Sequence, residues 1–557
     1  MRTRNITPKQ QGHFITLLEE SICTHWDLDA LSDYHGKTFK YRDVALHIAE
    51  LHILFDKIGI RKGDKIAVCG RNSSHWGIVF LATITYGAVA VPILNDFKPD
   101  NIHNIVTHTE STLLFVGETV WENLDENMMP KVKGIIKIED FSFLIVRSKK
   151  FFEIEKKKEM YFEQKYRNAF SSAQVSYNKD QLDELAYISY TSGTTSFSKG
   201  VMIPYRSMMS NIIFAQMNMP LIKGDNHVCM LPLAHAFGLM FSFIFEFTKG
   251  CHTYFLTRMP SPKIIFNAYA ETKPNLIITV PLIVEKVVRK AVLPKLETPS
   301  MKFAMRIPVV EGFIFRKIRQ KLIDLFGGNV LELVIGGAAM NDEVENILKR
   351  IHFPFTIGYG MTESGPLICY SSNAAFKKGS CGRVVDRMEI KIDSEDPQNI
   401  VGEIMVKGDN VMLGYYKNPD VTAQTLTNDG WMHTGDLGVI DSEGNLYIRG
   451  RSKNMLLSAN GQNIYPEEIE DKLSFMPYVS ECIVVQQNGK LVALIHPDYN
   501  SALADKLTTQ AVDKLMDSNR IRLNEMLPKY SQVASVKICP EEFEKTPKRS
   551  IKRYLYT

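Results

Sequence analysis

What this chain of 557 residues lacks narrows its function first. Its eight cysteines are scattered and none forms a CxxC pair, so the spacing that zinc knuckles and dithiol redox centres need is missing. The length is also wrong for a small secreted domain stapled by disulfides, and reduced, mostly buried thiols are expected. No long apolar run is present. The greasiest stretch, Leu239–Phe247, is broken by Glu246 and falls far short of a bilayer span. The N-terminal MRTRNITPKQQGHF is polar and has no apolar h-region, so no secretory signal and a cytoplasmic setting are expected. Peripheral membrane contact stays open. Charge of one sign is scarce too: 66 basic side chains face 62 acidic ones, for a net charge of +4. A nucleic-acid binder more often carries a strong basic excess, so no nucleic-acid partner is expected. Repeats and low-complexity linkers are absent.

The composition that remains is that of a globular protein, 45% hydrophobic and 23% charged. Its length exceeds what one hydrophobic core serves, so two or more lobes are expected. The first part alternates strand-like and helix-like segments. A helical stretch over Tyr41–Lys57 precedes a buried-strand run, Lys65–Cys69, and the apolar segments Trp76–Tyr86 and Ala88–Ile93. Further strands are expected at Ala186–Ser189, Pro274–Val280 and Val330–Ile335, with a helix over Leu282–Val292. This alternation predicts α/β layers with largely parallel sheets. The most basic stretch, Arg147–Arg167, mixes in glutamates and aromatics and reads as one solvated amphipathic helix.

After about residue 380 the texture changes. Short strands at Met388–Ile392, Gly402–Lys407, Gly438–Ile440 and Asn445–Ile448 are separated by turn signals, which predicts a β-rich subdomain. A compact α+β tail follows, with a helix over Pro466–Leu473 and strands over Glu481–Val485 and Lys490–Ile495. The expected organisation is a large N-terminal domain over 1–449 and a small C-terminal domain over 450–557.

The strongest local signal is Tyr190–Val201, YTSGTTSFSKGV. Hydroxyls crowd around Gly193 and Gly200, with Lys199 near the end. Small residues let backbone approach an anion, while hydroxyls and amide N–H groups donate to phosphate oxygens. It is not a Walker loop, which needs glycine before the lysine and Ser or Thr after it; here Ser198 and Gly200 stand there. No Ser-His-Asp arrangement is evident either.

YTSGTT followed by KGV resembles the nucleotide loop of the adenylate-forming superfamily, which holds acyl- and aryl-CoA synthetases, luciferases and peptide synthetase adenylation domains. Other superfamily elements follow in order: GGA at Gly336–Ala338, GYGMTE at Gly358–Glu363, TGD at Thr434–Asp436, GRSK at Gly450–Lys453, NGQNIYPEEIE at Asn460–Glu470, and a basic tail with Lys552. The resemblance implies a large α/β nucleotide-binding domain, a β-rich subdomain and a small mobile α+β domain. It implies that Thr191, Ser192, Gly193, Thr194, Thr195 and Lys199 hold the phosphates of ATP. Gly336, Gly337 and Ala338 would lie close to adenine, on which Tyr359 would stack, flanked by Gly360 and Met361. Thr362 would bond the α-phosphate and Glu363 would hold Mg²⁺. Asp436 would accept the ribose hydroxyls, supported by Arg451. His235, in LPLAHAFG, would mark the carboxylate end of the acyl pocket, with Phe237 and Gly238 beside it. Lys552 would bridge acid and α-phosphate during adenylation, with Lys548 as second choice. Lys453 would be the hinge, and Gly461 would border the coenzyme A channel.

The implied activity is ATP-dependent acid:CoA ligation through an acyl-adenylate. The loop LLSANGQNIYPEEIE and the ending TPKRSIKRYLY resemble bacterial long-chain fatty-acid:CoA ligases, so a fatty acid is the expected substrate and coenzyme A the expected thiol. A medium-chain or aryl acid, or a carrier-protein acceptor, is the alternative. Ser196, Ser198 and Ile551 depart from the usual pattern. They leave open a non-catalytic sensor that binds nucleotide or acyl ligand. Nothing in the sequence speaks to oligomeric state.

Overall fold

Short apolar runs that are buried on both faces become parallel strands here, as parallel sheets require. Lys65–Cys69 (KIAVC) is one, and it sits inside an eight-stranded sheet. In spatial order the strands are Gly414–Tyr415, Lys199–Pro204, Leu185–Thr191, Val89–Ile93, Lys65–Cys69, Leu113–Val116, Gly134–Lys137 and Phe143–Val146. The computed structural model describes residues 12–147, 149–167, 170–191, 199–258, 261–296, 298–458, 462–546 and 551–556. Pro92 lies within a central strand of this sheet, an uncommon place for a residue without an N–H. Val89 N–H donates to Asp64, so alternation turns the Pro92 nitrogen toward Leu185–Thr191. There the pairing is reduced to the single bridge Ala90↔Tyr187, and the missing donor interrupts no long ladder.

Helices cover the sheet, and local chemistry sets their ends. Helix Tyr41–Ile58 starts with Asp43 accepting from the Lys40 N–H and stops at Gly59 in the left-handed region. Helix Ser74–Tyr86 is capped by the Ser73 hydroxyl, which accepts from Trp76 N–H at 3.1 Å. Two smaller sheets extend the α/β layers. One pairs Leu276–Thr279, Glu332–Ile335 and Phe355–Ile357 in parallel. The other orders Asn226–Cys229, His252–Phe255, Asp29–Asp33 and Thr38–Lys40.

Arg147–Arg167 is two helices, not the single solvated one expected. Lys149–Lys156 and Lys158–Tyr166 meet at Lys157, whose backbone is non-helical. The first helix is pinned by Phe151 and Ile154, both buried in the main core, and the second has no buried residue. The apolar run Leu239–Phe247 lies within a continuous helical segment, Ala236–Lys249, with a π turn over Met240–Ile244. Glu246 there is fully buried 3.6 Å from His227. Burial pushes its carboxyl well up and the His227 imidazole down to about 4, so the neutral forms are favoured.

Beyond Met388 four antiparallel strands form the β-rich layer: Met388–Asp393, Gly402–Gly408, Met432–Ile440 and Leu446–Arg451. The third is longer than the expected Gly438–Ile440, because pairing with Gly402–Gly408 continues on both sides of a register shift at Thr434-Gly435-Asp436, where Gly435 has φ +73°. The main core reaches as far as Leu446, and a separate one begins at Ile464. The second core packs helices Pro466–Ser474 and Thr509–Glu525 on a sheet of Val479–Gln487, Lys490–Pro497 and Ser535–Ile538. Among the described residues no helix is long and apolar enough to cross a membrane.

Candidate active site

The antiparallel register of Met432–Ile440 with Leu446–Arg451 puts Asp436 opposite Arg451. Arg451 Nε lies 3.1 Å from Asp436 Oδ1, and the Tyr359 hydroxyl donates to Oδ2 at 2.7 Å. Tyr359 arrives from another layer, on the two-residue strand Tyr359–Gly360 just past Phe355–Ile357. Both Asp436 and Tyr359 are buried, at 7% exposure each. Burial raises the Asp436 carboxyl above its usual range, against the pull of Arg451 and Tyr359. Burial, and then the Asp436 charge, pushes the Tyr359 phenol well up. A carboxylate offers about four lone-pair sites, so both oxygens of Asp436 can still accept from a diol.

Gly336–Ala338 leave the end of strand Glu332–Ile335, with Gly336 N–H donating to Thr279 at 3.1 Å. Crowding from within the protein requires glycine at two of the candidate positions. A β-carbon at Gly336 would meet the Phe237 ring at 3.0 Å, and one at Gly360 would sit 2.1 Å from the Pro366 carbonyl oxygen. Met361 N–H donates to that same carbonyl at 2.9 Å, which fixes the start of the next turn.

That turn, Thr362–Ser364, presents Thr362 and Glu363. Glu363 Oε1 accepts from the Tyr415 hydroxyl at 2.9 Å, and Lys199 Nζ lies 5.0 Å from the Tyr415 ring centroid. Lys199 pairs with Thr191 across Leu185–Thr191 and Lys199–Pro204, so both ends of the hydroxyl-rich loop open beside Glu363. Ser192, Gly193, Thr194 and Thr195 lie outside the described residues, as do Ser196, Ser198, Lys548 and Gly461. Among the described residues no group of three or more His, Cys, Asp or Glu side chains is arranged to hold a metal ion. A lone carboxylate fits Mg²⁺, which is commonly held by one or two carboxylates plus substrate phosphates.

Asp436, Arg451, Tyr359, Gly336–Ala338, Thr362, Glu363, Thr191, Lys199 and Tyr415 border one cavity of about 2080 Å³. His235, at the start of helix Ala236–Leu239, lines it next to Phe237 and Gly238. Phe241 lines it as well, while Met240, Phe243, Phe245 and Phe247 are packed into the core. The apolar run thus divides into one cavity-facing part and one core part. Lys453 lies in the turn Ser452–Asn454 on the cavity wall, and the following Asn454 donates to Glu467 at 2.6 Å.

Lys552 is placed differently from the other candidates. It does not line the cavity; its Nζ is 3.0 Å from Glu544 Oε2 and its N–H donates to the Glu544 carbonyl. Ile551, Arg553 and Tyr554 line the cavity instead, with Arg553 Nη2 held 2.6 Å from Glu470. Helix Pro466–Ser474 docks the small domain on the large one. Asn341 donates to Asp471 Oδ1 at 2.9 Å, and Arg289 donates to the Ser474 carbonyl at 2.7 Å.

Tyr415, Glu403 and Arg553 are among the cavity residues that escaped the sequence reading. Glu403 accepts from Gly435 N–H at 3.0 Å and pairs with His433 at 2.9 Å, and so braces the TGD segment. Tyr415 enters through a two-residue strand that pairs with Val201. Neither position has a local signal; only sheet pairing brings it in.

Solved structures share this architecture. An anthranilate CoA ligase in complex with anthranoyl-AMP superposes with a TM-score of 0.77 at 18% identity, covering 98% of this chain and 96% of that one. An o-succinylbenzoate CoA synthetase from Bacillus subtilis with AMP gives 0.74 at 20%, covering 98% of each. The fold is that of the adenylate-forming enzymes. The AMP-binding enzyme family matches residues 18–416, and this chain belongs to that family, within the acyl- and aryl-CoA ligase superfamily. Long-chain-fatty-acid–CoA ligase 1 of Saccharomyces cerevisiae is 27% identical over 539 residues, covering 88% of this chain and 76% of that one. 4-Coumarate–CoA ligase 1 of Petroselinum crispum is also 27% identical, covering 81% and 77%.

Proposed function

We propose that this protein is a fatty-acid:CoA ligase that forms acyl-AMP and pyrophosphate and then acyl-CoA and AMP. The single observation that carries the reading is the continuity of the cavity. A buried acceptor for a diol, the Lys199 cation and the Glu363 carboxylate on either side of Tyr415, and a wall of Phe237, Phe241, Phe266 and Val280 share one space. Its volume of about 2080 Å³ exceeds the ~300–1,000 Å³ of ordinary ligand pockets and suits several substrates at once.

In this reading Asp436 and Arg451 hold the ribose, Tyr359 flanks adenine, and Lys199 and the loop beside it hold the outer phosphates. Glu363 would hold Mg²⁺, which would supply charge neutralisation at the phosphates. The substrate carboxylate, at His235, attacks the α-phosphorus; the bond to the bridging oxygen breaks and pyrophosphate leaves. A thiolate of coenzyme A then attacks the acyl carbonyl carbon, and AMP leaves. No protein nucleophile is needed: positioning and charge do the work. The large domain ends near residue 449 and the small domain turns about Lys453. That turn brings Lys552 to the carboxylate for the first step and releases it for the second. The Asn341–Asp471 and Arg289–Ser474 contacts join the two domains and are the ones such a turn exchanges, while the Lys552–Glu544 ion pair lies within the small domain and opens only when Lys552 turns to the substrate.

The test is pyrophosphate release from Mg·ATP against acids from acetate to palmitate plus benzoate, with and without coenzyme A. Release that peaks with long-chain acids and turns over only with coenzyme A supports the proposal. A peak at medium-chain acids or benzoate reassigns the acid, and release without coenzyme A dependence reassigns the acceptor. ATP binding without release for any acid favours the sensor reading, which the outward placement of Lys552 also motivates.

A further inference from the structure

Along helices Pro299–Ala304 and Pro308–Leu325 and the turn between them, large apolar side chains stand in water. Phe303 is 68% exposed, Ile307 50%, Val309 82% and Phe313 53%. Val309 and Phe313 are one helical turn apart and share a side. Phe315, Ile318, Leu322 and Leu325 from the same helix pack against the main core. The helix therefore satisfies its inner face and still presents a second apolar patch outward. Single exposed apolar residues are ordinary, whereas a cluster of large ones marks a docking surface.

The charge around the patch says what it fits. Pro299–Leu325 contains six basic and two acidic side chains, a net charge equal to that of the whole chain. One of the two acids, Glu311, is occupied by Arg350 at 2.7 Å. Arg316, Lys317, Arg319 and Lys321 are exposed, and among the described residues none of them forms an ion pair. Lys317 Nζ lies 4.5 Å from the Phe313 ring centroid, so cation and aromatic occupy the same surface. A second copy meeting this face symmetrically would set the same cations against each other. Apolar side chains bordered by unpaired cations match a layer with an apolar interior and anionic headgroups.

We propose that this face docks the protein on an anionic lipid surface. Phe303, Ile307, Val309 and Phe313 enter the boundary between headgroups and acyl chains, and Arg316, Lys317, Arg319 and Lys321 meet the headgroup phosphates. The helix that carries the patch runs about 24 Å from Val309 to Leu325, at ~1.5 Å per residue, and Leu325 lines the cavity described above. Leu282, 45% exposed, lines the cavity from helix Pro281–Ala291. One rigid element thus joins the docked face to the cavity wall. The docking is a property of the surface and holds whichever acid is ligated.

The experiment is co-sedimentation of the full chain with vesicles of phosphatidylcholine alone and of an equimolar phosphatidylcholine–phosphatidylglycerol mixture. Binding to the anionic vesicles is expected, weakened by added salt, with little binding to the neutral ones. Each cation near such a surface is worth on the order of fivefold in partitioning, so Arg316→Glu with Lys317→Glu lowers it by about twentyfold or more. Val309→Asp with Phe313→Asp abolishes it. Both double variants keep the thermal midpoint and the pyrophosphate release seen with a short soluble acid. Failure of the wild-type chain to bind anionic vesicles overturns the proposal, as do variants that bind like wild type. Self-association that the same variants abolish, without vesicle binding, assigns the face to a protein contact and overturns it equally.

Discussion

Replacing Asp436 by Asn separates a binding role from a structural one. The carboxylate accepts from Tyr359 at 2.7 Å and from Arg451 at 3.1 Å, one bond per oxygen. Asn keeps the shape but offers one acceptor oxygen and one donor NH₂ group. Arg451 can only donate, so the oxygen goes to Arg451 and the NH₂ faces Tyr359, or the Arg451 bond is lost. A ribose hydroxyl that needs the second acceptor then loses its partner. One lost bond to a charged group is worth about 1.5–3 kcal/mol, a factor of roughly ten to 150 in affinity. The KM for ATP is expected to rise by that factor, while the KM for the acid holds. Stability moves the other way. Burial raises the Asp436 pKa in the folded chain, so the folded state binds its proton more readily than the unfolded state does. Such a group costs stability in full above its folded pKa, and the cost shrinks as pH falls below that value and is gone below the ordinary carboxylate range. Asn removes the cost at neutral pH, and the thermal midpoint is expected to be equal or higher. The assay is ATP–pyrophosphate exchange at varied ATP, beside a thermal melt. An unchanged KM for ATP would refute the ribose assignment. A large fall in midpoint would refute the view that this carboxylate is strained for function.

Other outcomes follow from the same geometry. Lys552→Ala suppresses acyl-AMP formation by on the order of a hundred- to thousandfold, yet spares thioester formation from supplied acyl-AMP; equal loss of both half-reactions counts against the assignment. Glu345, on the cavity wall, is buried, and burial pushes it up to about 7, with the Gly379 N–H at 2.7 Å and then the Lys378 and Lys349 charges in partial compensation. Its stability cost grows between its ordinary range and pH 7, so Glu345→Gln raises the thermal midpoint at pH 8 and leaves it unchanged at pH 4.5. Leu473→Ala, at the centre of the small core, costs about 2–5 kcal/mol and lowers the melting of the C-terminal part, with calorimetry showing whether the main transition follows. Arg289→Ala removes the bond to Ser474 and the contact of the guanidinium with Phe475 at 4.0 Å. Limited proteolysis between the two cores is then expected to speed up, and an unchanged rate would show that this contact does not hold the domains together.

Much of the architecture is legible without coordinates because it depends on local pattern. KIAVC is a strand with the expected limits, since a five-residue apolar run between turns has nowhere to go but a sheet interior. Tyr41–Ile58 ends one residue from expectation because Asp43 and Gly59 mark its ends chemically. The ordered motifs identified the family, and they did so because nucleotide chemistry demands particular residue types at particular turns. The misreadings share a cause. Whether Arg147–Arg167 is one helix or two depends on where Phe151 and Ile154 find a core, and the sequence pattern does not record that.

The chain's own order of residues thus determined the α/β layering and the identity of the hydroxyl-rich loop, Asp436, Tyr359 and Glu363 as candidates. Each is a matter of composition, spacing or motif within one short segment. Tertiary structure alone decided which of them meet. Asp436 reaches Arg451 through strand register, Tyr359 arrives from a different sheet, and Tyr415 joins Glu363 to Lys199 from a two-residue strand. It also decided that Lys552 turns to Glu544 while Arg553 turns to the cavity. Register, domain docking and side-chain direction are set by long-range burial and pairing, which span hundreds of residues and leave no mark on any one stretch of sequence.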